Sequence, residues 1–229
     1  MPFTSFGKSA AARVALSALF LAGALGSATA LRAEDDVIES HDPRVRIGFE
    51  IAPVPLDLRG KDQALVGLGS YLVNAVASCN DCHTQSATSE YSLGGNPFFG
   101  QPKIVNSAAY LSGGRDFGSL APNTPPIVSR NLTPDKTGRP EGGRSFAEFL
   151  HIMKTGEDLD HVHPPCSATI TTNCFPQTPP FDGDLLQIMP WPKFQSMTVH
   201  DLRAVYEYLS AIPSIEGPPA PSILHNDCT

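Results

Sequence analysis

Apolar residues recur at helical spacing in three stretches of this chain, and a capping residue stands before each of them. The three predicted helices are Asp62 to about Ala77, Ser145 to Gly156, and Thr198 to Pro213. In the second and third, an acidic residue follows the cap by three positions, as in a capping box: Glu148 after Ser145 and Asp201 after Thr198. The residues predicted to face inward are Leu65, Leu68, Leu72, Val76, Phe146, Phe149, Leu150, Met153, Val199, Leu202, Val205, Tyr206 and Leu209.

Two glycines, Gly67 and Gly69, interrupt the first helix. Each weakens a helix by roughly 1 kcal/mol relative to alanine. Glycines inside a helical pattern often mark the close approach of another backbone. We therefore expect a second element to pack closely here.

The stretches between the helices lack a sustained hydrophobic period. Residues 85–144 and 156–197 are rich in Gly, Pro, Ser and Asn, and no strand or internal repeat is predicted in them. Residues 31–59 are acidic and then interrupted by prolines, which indicates an extended N-terminal arm. Residues 214–229 are expected to form a C-terminal tail on the surface. The predicted class is all-α with long loops.

The first thirty residues have the pattern of a secretory signal peptide. Lys8 and Arg13 are their only charges, the apolar run 14–26 follows, and Ala28 and Ala30 form a cleavage signal. Thirteen apolar residues are fewer than the roughly 20 that a membrane-spanning helix needs. We expect cleavage after Ala30, export to the periplasm or beyond, and no membrane span in the mature chain.

The charge of the chain excludes some partners. Its net charge is −7, and without Lys8 and Arg13 the remaining 14 basic and 23 acidic residues give −9. Such a surface disfavours nucleic acid and anionic lipid, and it suits a basic protein partner.

The stretch SCNDCHT, residues 78–84, carries the most specific chemical signal. Two thiols separated by two residues occur in redox dithiols, in zinc sites and at covalent haem attachment. A zinc site needs a second ligand pair, and Cys166 and Cys174 are eight positions apart. A thioredoxin-type dithiol follows a strand in a βαβ unit, which this sequence lacks. Attachment of one haem c through Cys79 and Cys82 also explains His83, which would be an axial ligand.

The candidates for the second axial ligand are Met153, Met189, Met197 and the histidines other than His83. Met153 belongs to the apolar stripe of the second helix, and Met197 directly precedes the third. Met189 lies in an irregular segment that Pro190 and Pro192 keep extended, so it is the preferred ligand.

Further polar residues are candidates for contact with the haem propionates. Trp191 is predicted to donate its indole N–H to a propionate, with core filling as the alternative. Arg130 and Asn131 are also candidates. Asp158, Asp160, His161 and His163 are expected to lie on the surface.

Two long segments resemble the ends of a class I cytochrome c domain: GLGSYLVNAVASCNDCHT and MPWPKFQSMTVHDLRAVYEYLSAIP. With RNLTPDKTG and SFAEFLHIMKTG between them, residues 60–213 are similar to the cytochrome c subunits that accept electrons from bacterial periplasmic dehydrogenases. The resemblance implies helices that cross near 67–71 and 206–209, with His83 and Met189 as axial ligands. These ligands are 106 positions apart, so the resemblance also implies a large loop insertion.

The remaining cysteines suggest one disulfide bond. Cys166 and Cys174 enclose seven residues in a chain predicted to be exported, where disulfides persist. Closing so short a loop would stabilise the fold by roughly 2.5 kcal/mol. Cys228 is left over, either as a free thiol or to pair with another molecule.

Together these signals predict an exported monohaem c-type cytochrome that is not an enzyme. It would carry single electrons between a periplasmic dehydrogenase and a downstream acceptor. The alternative is a haem enzyme whose open sixth iron site acts on peroxide or a sulfur compound. Ligation by Met189 distinguishes the two, because it would close that site.

Overall fold

The computed structural model describes residues 42–119, 126–159 and 185–216. The predicted signal peptide lies outside these ranges. So do Asp160, His161, His163, Cys166, Cys174, Cys228 and most of the predicted tail. The chain divides into two units, Met1–Asp42 and Pro43–Thr229, and every element described below belongs to the second.

Helices dominate the described residues, and one small sheet accompanies them. The α-helices are α1 (Pro43–Ile51), α2 (Gln63–Tyr71), α3 (Cys79–Cys82), α4 (Pro140–Gly143), α5 (Phe146–Thr155), α6 (Trp191–Phe194) and α7 (Val199–Leu209). A π-helical turn, Leu72–Val76, continues α2, and Pro97–Phe99 forms a 3-10 turn. The strands are β1 (Asp116–Ser119) and β2 (Pro126–Val128).

The three helices predicted from periodicity are present with their predicted caps. The Asp62 carboxylate accepts from the backbone at the start of α2. Ser145 and Glu148 form both halves of the capping box of α5, which ends at Gly156 with φ 75°. Thr198 accepts from the amide of Asp201 at the start of α7, which is one half of the predicted capping box. Local capping chemistry is therefore sufficient to place these helices.

Two of the predicted inward positions are wrong. Val76 is 61% exposed at the end of the π-helical turn, and Val199 is 54% exposed at the first position of α7. Both stand at the end of an apolar stripe, where the residues that the structure describes leave them uncovered.

The predicted close approach at Gly67 and Gly69 is confirmed. A Cβ at Gly69 would lie 1.9 Å from the carbonyl oxygen of Ala204 in α7. On another side of α2, a Cβ at Gly67 would lie 2.7 Å from the carbonyl oxygen of Val45 in α1. Helix α2 thus packs against α1 and α7 with backbone close to backbone, as glycine alone permits.

Helix α1 corrects the prediction of an extended arm over residues 31–59. It occupies Pro43–Ile51, and Val45 and Phe49 pack against the buried core. The Ser70 hydroxyl of α2 also donates to the Gly48 carbonyl at 2.7 Å. The sequence signal was present, because Asp42 and Pro43 are residues favoured at a helix start.

A small antiparallel sheet corrects the prediction that the chain has no strands. Strands β1 and β2 pair with Asp116 opposite Val128, and the register is irregular. The flanking backbone continues the ladder, since Ser129 donates to the Arg115 carbonyl at 2.9 Å and Leu132 to that of Leu111 at 2.9 Å. Among the described residues the fold is helix-rich with one two-stranded sheet, and it is not strictly all-α.

The core is a single cluster that unites α2, α5 and α7. Its buried residues are Val54, Val66, Leu68, Leu72, Val73, Tyr110, Leu111, Leu132, Phe149, Met153, Leu202, Ala204, Val205, Tyr208, Leu209, Ala211 and Ile212. Beyond it, the Asn131 side chain donates to the Ile215 carbonyl and the Ile215 amide donates to the Thr133 hydroxyl, so the first residues of the predicted tail are bound to the fold. Across the part of the chain that the structure describes, no helix has the length and apolarity needed to cross a membrane.

Candidate functional site

The two cysteines of the SCNDCHT stretch bound one helical turn. Ser78 adopts the left-handed conformation (φ 49°, ψ 44°) and α3 follows as Cys79–Cys82, with His83 as its C-terminal cap. Neither thiol is in a disulfide. Residues three apart on a helix lie on one face, so both sulfurs can reach the same group.

Buried polar contacts hold this turn in place. The amide side chain of Asn80, between the cysteines, accepts from the Leu111 backbone at 2.9 Å. In the preceding π-helical turn, Asn74 accepts from the Tyr110 hydroxyl at 2.7 Å. Tyr110 and Tyr208 share a hydrogen bond of 2.8 Å, which ties the network to α7. These contacts could not be predicted from the sequence, because they join residues far apart in the chain.

His83 uses one ring nitrogen within the protein. Its Nδ1 lies 2.8 Å from the carbonyl oxygen of Arg130. Because a carbonyl can only accept, Nδ1 carries the proton and Nε2 carries the lone pair. Burial lowers the pKa of His83 and the hydrogen bond to the Arg130 backbone opposes this, while the Arg130 guanidinium lowers it further, so that the net shift favours the neutral ring. A neutral imidazole oriented by a hydrogen bond at Nδ1 is the usual form of a metal-ligating histidine.

Both thiols have raised pKa values in this environment. Burial raises the pKa of Cys79 to about 12, and it also raises the pKa of Cys82. A nucleophilic dithiol requires lowered thiol pKa values. Within the described residues, no group of three or more His, Cys, Asp or Glu side chains is arranged to hold a metal ion.

Met189 lies beside the same core as Cys79. Both residues are partly buried and pack against the buried cluster. Met189 precedes α6, where Pro190 is the N-terminal cap and Pro192 lies within the helical turn. The segment is therefore less irregular than predicted. Ile188, with φ 58°, adopts a conformation that a β-branched residue rarely takes.

The other two methionines occupy different settings. Met153 is 6% exposed and belongs to the core, as its place in the apolar stripe indicated. Met197 is partly buried, and its carbonyl accepts from the Lys154 ammonium.

Trp191 already has a partner for its indole N–H. The nitrogen donates to the Leu186 carbonyl at 3.1 Å. The ring also lies against Gly156, where a Cβ would come within 2.2 Å of it. A hydrogen bond to a propionate would have to replace the bond to Leu186.

Arg130 and Asn131 are likewise engaged by the protein. Arg130 forms ion pairs with Asp158 and with Glu141. Asn131 donates to the Ile215 carbonyl at 2.8 Å and accepts from Thr133. Asp158, predicted to lie on the surface, is only 2% exposed. The prediction was wrong because its partner, 28 positions away, could not be identified from the sequence.

Comparison with protein-family models, with curated proteins and with solved structures finds no match to this chain. The cytochrome c resemblance therefore stays a prediction that rests on the motifs. The disulfide of Cys166 with Cys174 stays one as well, since both lie outside the described residues.

Proposed function

We propose that this protein is an exported electron carrier with one haem attached through Cys79 and Cys82. The hydrogen bond from His83 Nδ1 to the Arg130 carbonyl, at 2.8 Å, is the observation that carries the proposal. This hydrogen bond leaves the lone pair on Nε2 available to bind a metal. His83 also follows directly after the helical turn that carries the two thiols.

The donor set fits a covalent haem. Two reduced thiols at i and i+3 match attachment to the two vinyl groups of one porphyrin, and the next residue supplies the imidazole. When bound, haem supplies a reversible one-electron change at its iron. The chain's part is to hold and orient the group and to tune its potential, with no acid or base catalysis.

Met189 is the proposed second axial ligand. Its packing against the cluster that also contacts Cys79 supports this role, since both residues adjoin one core. Ligation by a thioether would close the iron to exogenous ligands, which favours a carrier over an enzyme acting on peroxide or a sulfur compound.

The proposed partners are a donor dehydrogenase in the periplasm and a downstream electron acceptor. Support comes from the motifs that resemble class I cytochrome c subunits and from the net charge of −7, which suits docking to a basic surface. The proposed place is the periplasm or outside the cell, because of the signal-like residues 1–30.

Covalent attachment provides the test. The protein should be expressed in a host that exports it and attaches haem, and then extracted with acidified acetone. We expect haem to stay with the wild-type chain through extraction and denaturing electrophoresis, because thioether bonds survive both. Cys79→Ala combined with Cys82→Ala should abolish this, whereas the control Cys228→Ser should retain it. Covalent haem on the double variant would refute the proposal.

A further inference from the structure

Arg130 joins the candidate haem ligand to a buried group of charges. Its backbone carbonyl accepts from His83 Nδ1, while its guanidinium pairs with the Asp158 carboxylate. Asp158 is 2% exposed, and the Arg130 side chain is 23% exposed. Glu141 contributes a second carboxylate, 3.7 Å from the guanidinium.

These carboxylates come from two further segments of the fold. Asp158 follows α5, and Glu141 belongs to α4, where it adopts φ 50° and ψ 56°. A non-glycine residue in this left-handed region is held there by its surroundings. The side chain of Arg130 is thus bound by α4 and by the residues after α5, and not by the segment that carries His83.

The backbone of Arg130 is also enclosed on its other side. A Cβ at Gly113 would lie 2.4 Å from the Arg130 carbonyl carbon. The amide of Gly113 in turn donates to the His83 carbonyl at 2.9 Å. Gly113 and Arg130 therefore each form a hydrogen bond with His83, and the ion pairs bind the side chain of Arg130.

We propose that Arg130 is a positioning residue for His83, and that its pairing with Asp158 and Glu141 sets the strength of the hydrogen bond at Nδ1. This inference rests on the proposed function. A firmly held carbonyl makes the imidazole a more basic ligand, which stabilises the ferric state. Loosening the carbonyl should therefore favour the ferrous state.

The variant Arg130→Gln distinguishes a positioning role of Arg130 from the effect of its charge alone, because the two change the reduction potential in opposite directions. Removing a positive charge near the iron would by itself stabilise the ferric state and lower the reduction potential. Loss of positioning predicts the opposite, an increase. We expect roughly a tenfold rise in the ferrous-to-ferric ratio at a fixed ambient potential, which is about 59 mV for one electron.

A second measurement reports on the hydrogen bond itself. In the reduced holoprotein, the His83 Nδ1 proton should exchange with solvent faster in Arg130→Gln than in the wild type, as followed by NMR. Arg130→Lys, which keeps the charge and one ion pair, should give smaller changes in both measurements. If Arg130→Gln does not fold, Arg130→Lys carries the same test.

Arg144→Gln is the matched control. Arg144 is 17% exposed, pairs with Glu148, and its carbonyl accepts from the Tyr206 hydroxyl at 2.9 Å. It resembles Arg130 in charge and setting, but it does not contact His83. We expect no change in potential or proton exchange.

The outcomes distinguish the inference from the proposed function. A wild-type chain without covalent haem would refute both. A haem-bearing Arg130→Gln protein whose potential falls or stays constant, with unchanged proton exchange, would refute the positioning role alone.

Discussion

One hydrogen bond at His83 determines which of its ring nitrogens is available for a metal. The acceptor, the Arg130 carbonyl, stands 47 positions along the chain, in a segment that follows β2. The tautomer is therefore selected by the packing of the segments that contain Gly113 and Arg130, and not by the local sequence at His83. A histidine in the same motif without such an acceptor would have no fixed orientation.

Met189→Ala tests the second axial ligand. The ferric wild-type protein should show the weak near-infrared band of a sulfur–iron bond and should bind cyanide slowly. Met189→Ala should erase the band, lower the potential and admit cyanide, because a thioether favours ferrous iron. The haem should remain attached through Cys79 and Cys82.

The other methionines are the controls for this prediction. Met197→Ala should keep the band. Met153→Ala should also keep it, although loss of a side chain only 6% exposed should cost roughly 2–5 kcal/mol of stability. A wild-type protein that lacks the band and binds peroxide at once would favour the enzymatic alternative.

At the scale of elements, helix α2 is the point where the fold is least tolerant of added volume. Its glycines bring the backbones of α1 and α7 close, and Ser70 adds a hydrogen bond to the Gly48 carbonyl. Helix propensity and packing make opposite demands at these positions. The observed glycines show that close approach outweighs propensity here.

Gly69→Ala should destabilise the protein, although alanine is the better helix former. Propensity alone would stabilise the helix by about 1 kcal/mol. The new Cβ, however, would meet the Ala204 carbonyl oxygen at 1.9 Å and the Tyr208 Cβ at 2.7 Å, and overpacking of this kind costs about 1–3 kcal/mol or more. Measuring the free energy of unfolding in denaturant shows whether the packing cost exceeds the gain in helix propensity.

Gln63→Ala, at the exposed first position of α2, controls for the effect of alanine in this helix. We expect it to change the stability little. A Gly69→Ala protein at least as stable as the wild type would show that α2 and α7 do not approach as closely as the structure indicates.

The elements that could be predicted from the sequence are those with local signals. The caps Asp62, Ser145 and Thr198 placed α2, α5 and α7, since capping acts within a few residues. Strands β1 and β2 were missed because Asp116–Ser119 is largely exposed and shows no alternation. Helix α1 was not predicted, because Pro53 and Pro55 directly beyond it favour an extended backbone.

At the scale of the whole molecule, one core unites segments far apart in the chain. It extends in sequence from Val54 to Ile212, and Tyr110 contributes to it from the middle of a segment predicted to be loop. The candidate site likewise combines residues predicted by a local motif with contacts between distant segments. The motif predicted Cys79, Cys82 and His83, whereas the contacts of Arg130 with Asp158 and Glu141 depend on how distant segments pack.

The state of all five cysteines is a property of the whole chain and gives the last prediction. If Cys79 and Cys82 carry haem and Cys166 pairs with Cys174, the unfolded, oxidised protein should show one reactive thiol, Cys228. With haem attached but no disulfide, it should show three. Mass spectrometry of the intact chain reports haem attachment independently.

Cys166→Ser makes the thiol count decisive, because the two alternatives change in opposite directions. Breaking a disulfide would release Cys174, so the count should rise from one to two. If Cys166 and Cys174 are both free, removing Cys166 would instead lower the count from three to two. A falling count would refute the disulfide, whatever the state of the haem. A rising count should be accompanied by a loss of roughly 2.5 kcal/mol or less in the free energy of unfolding, because the enclosed loop is short.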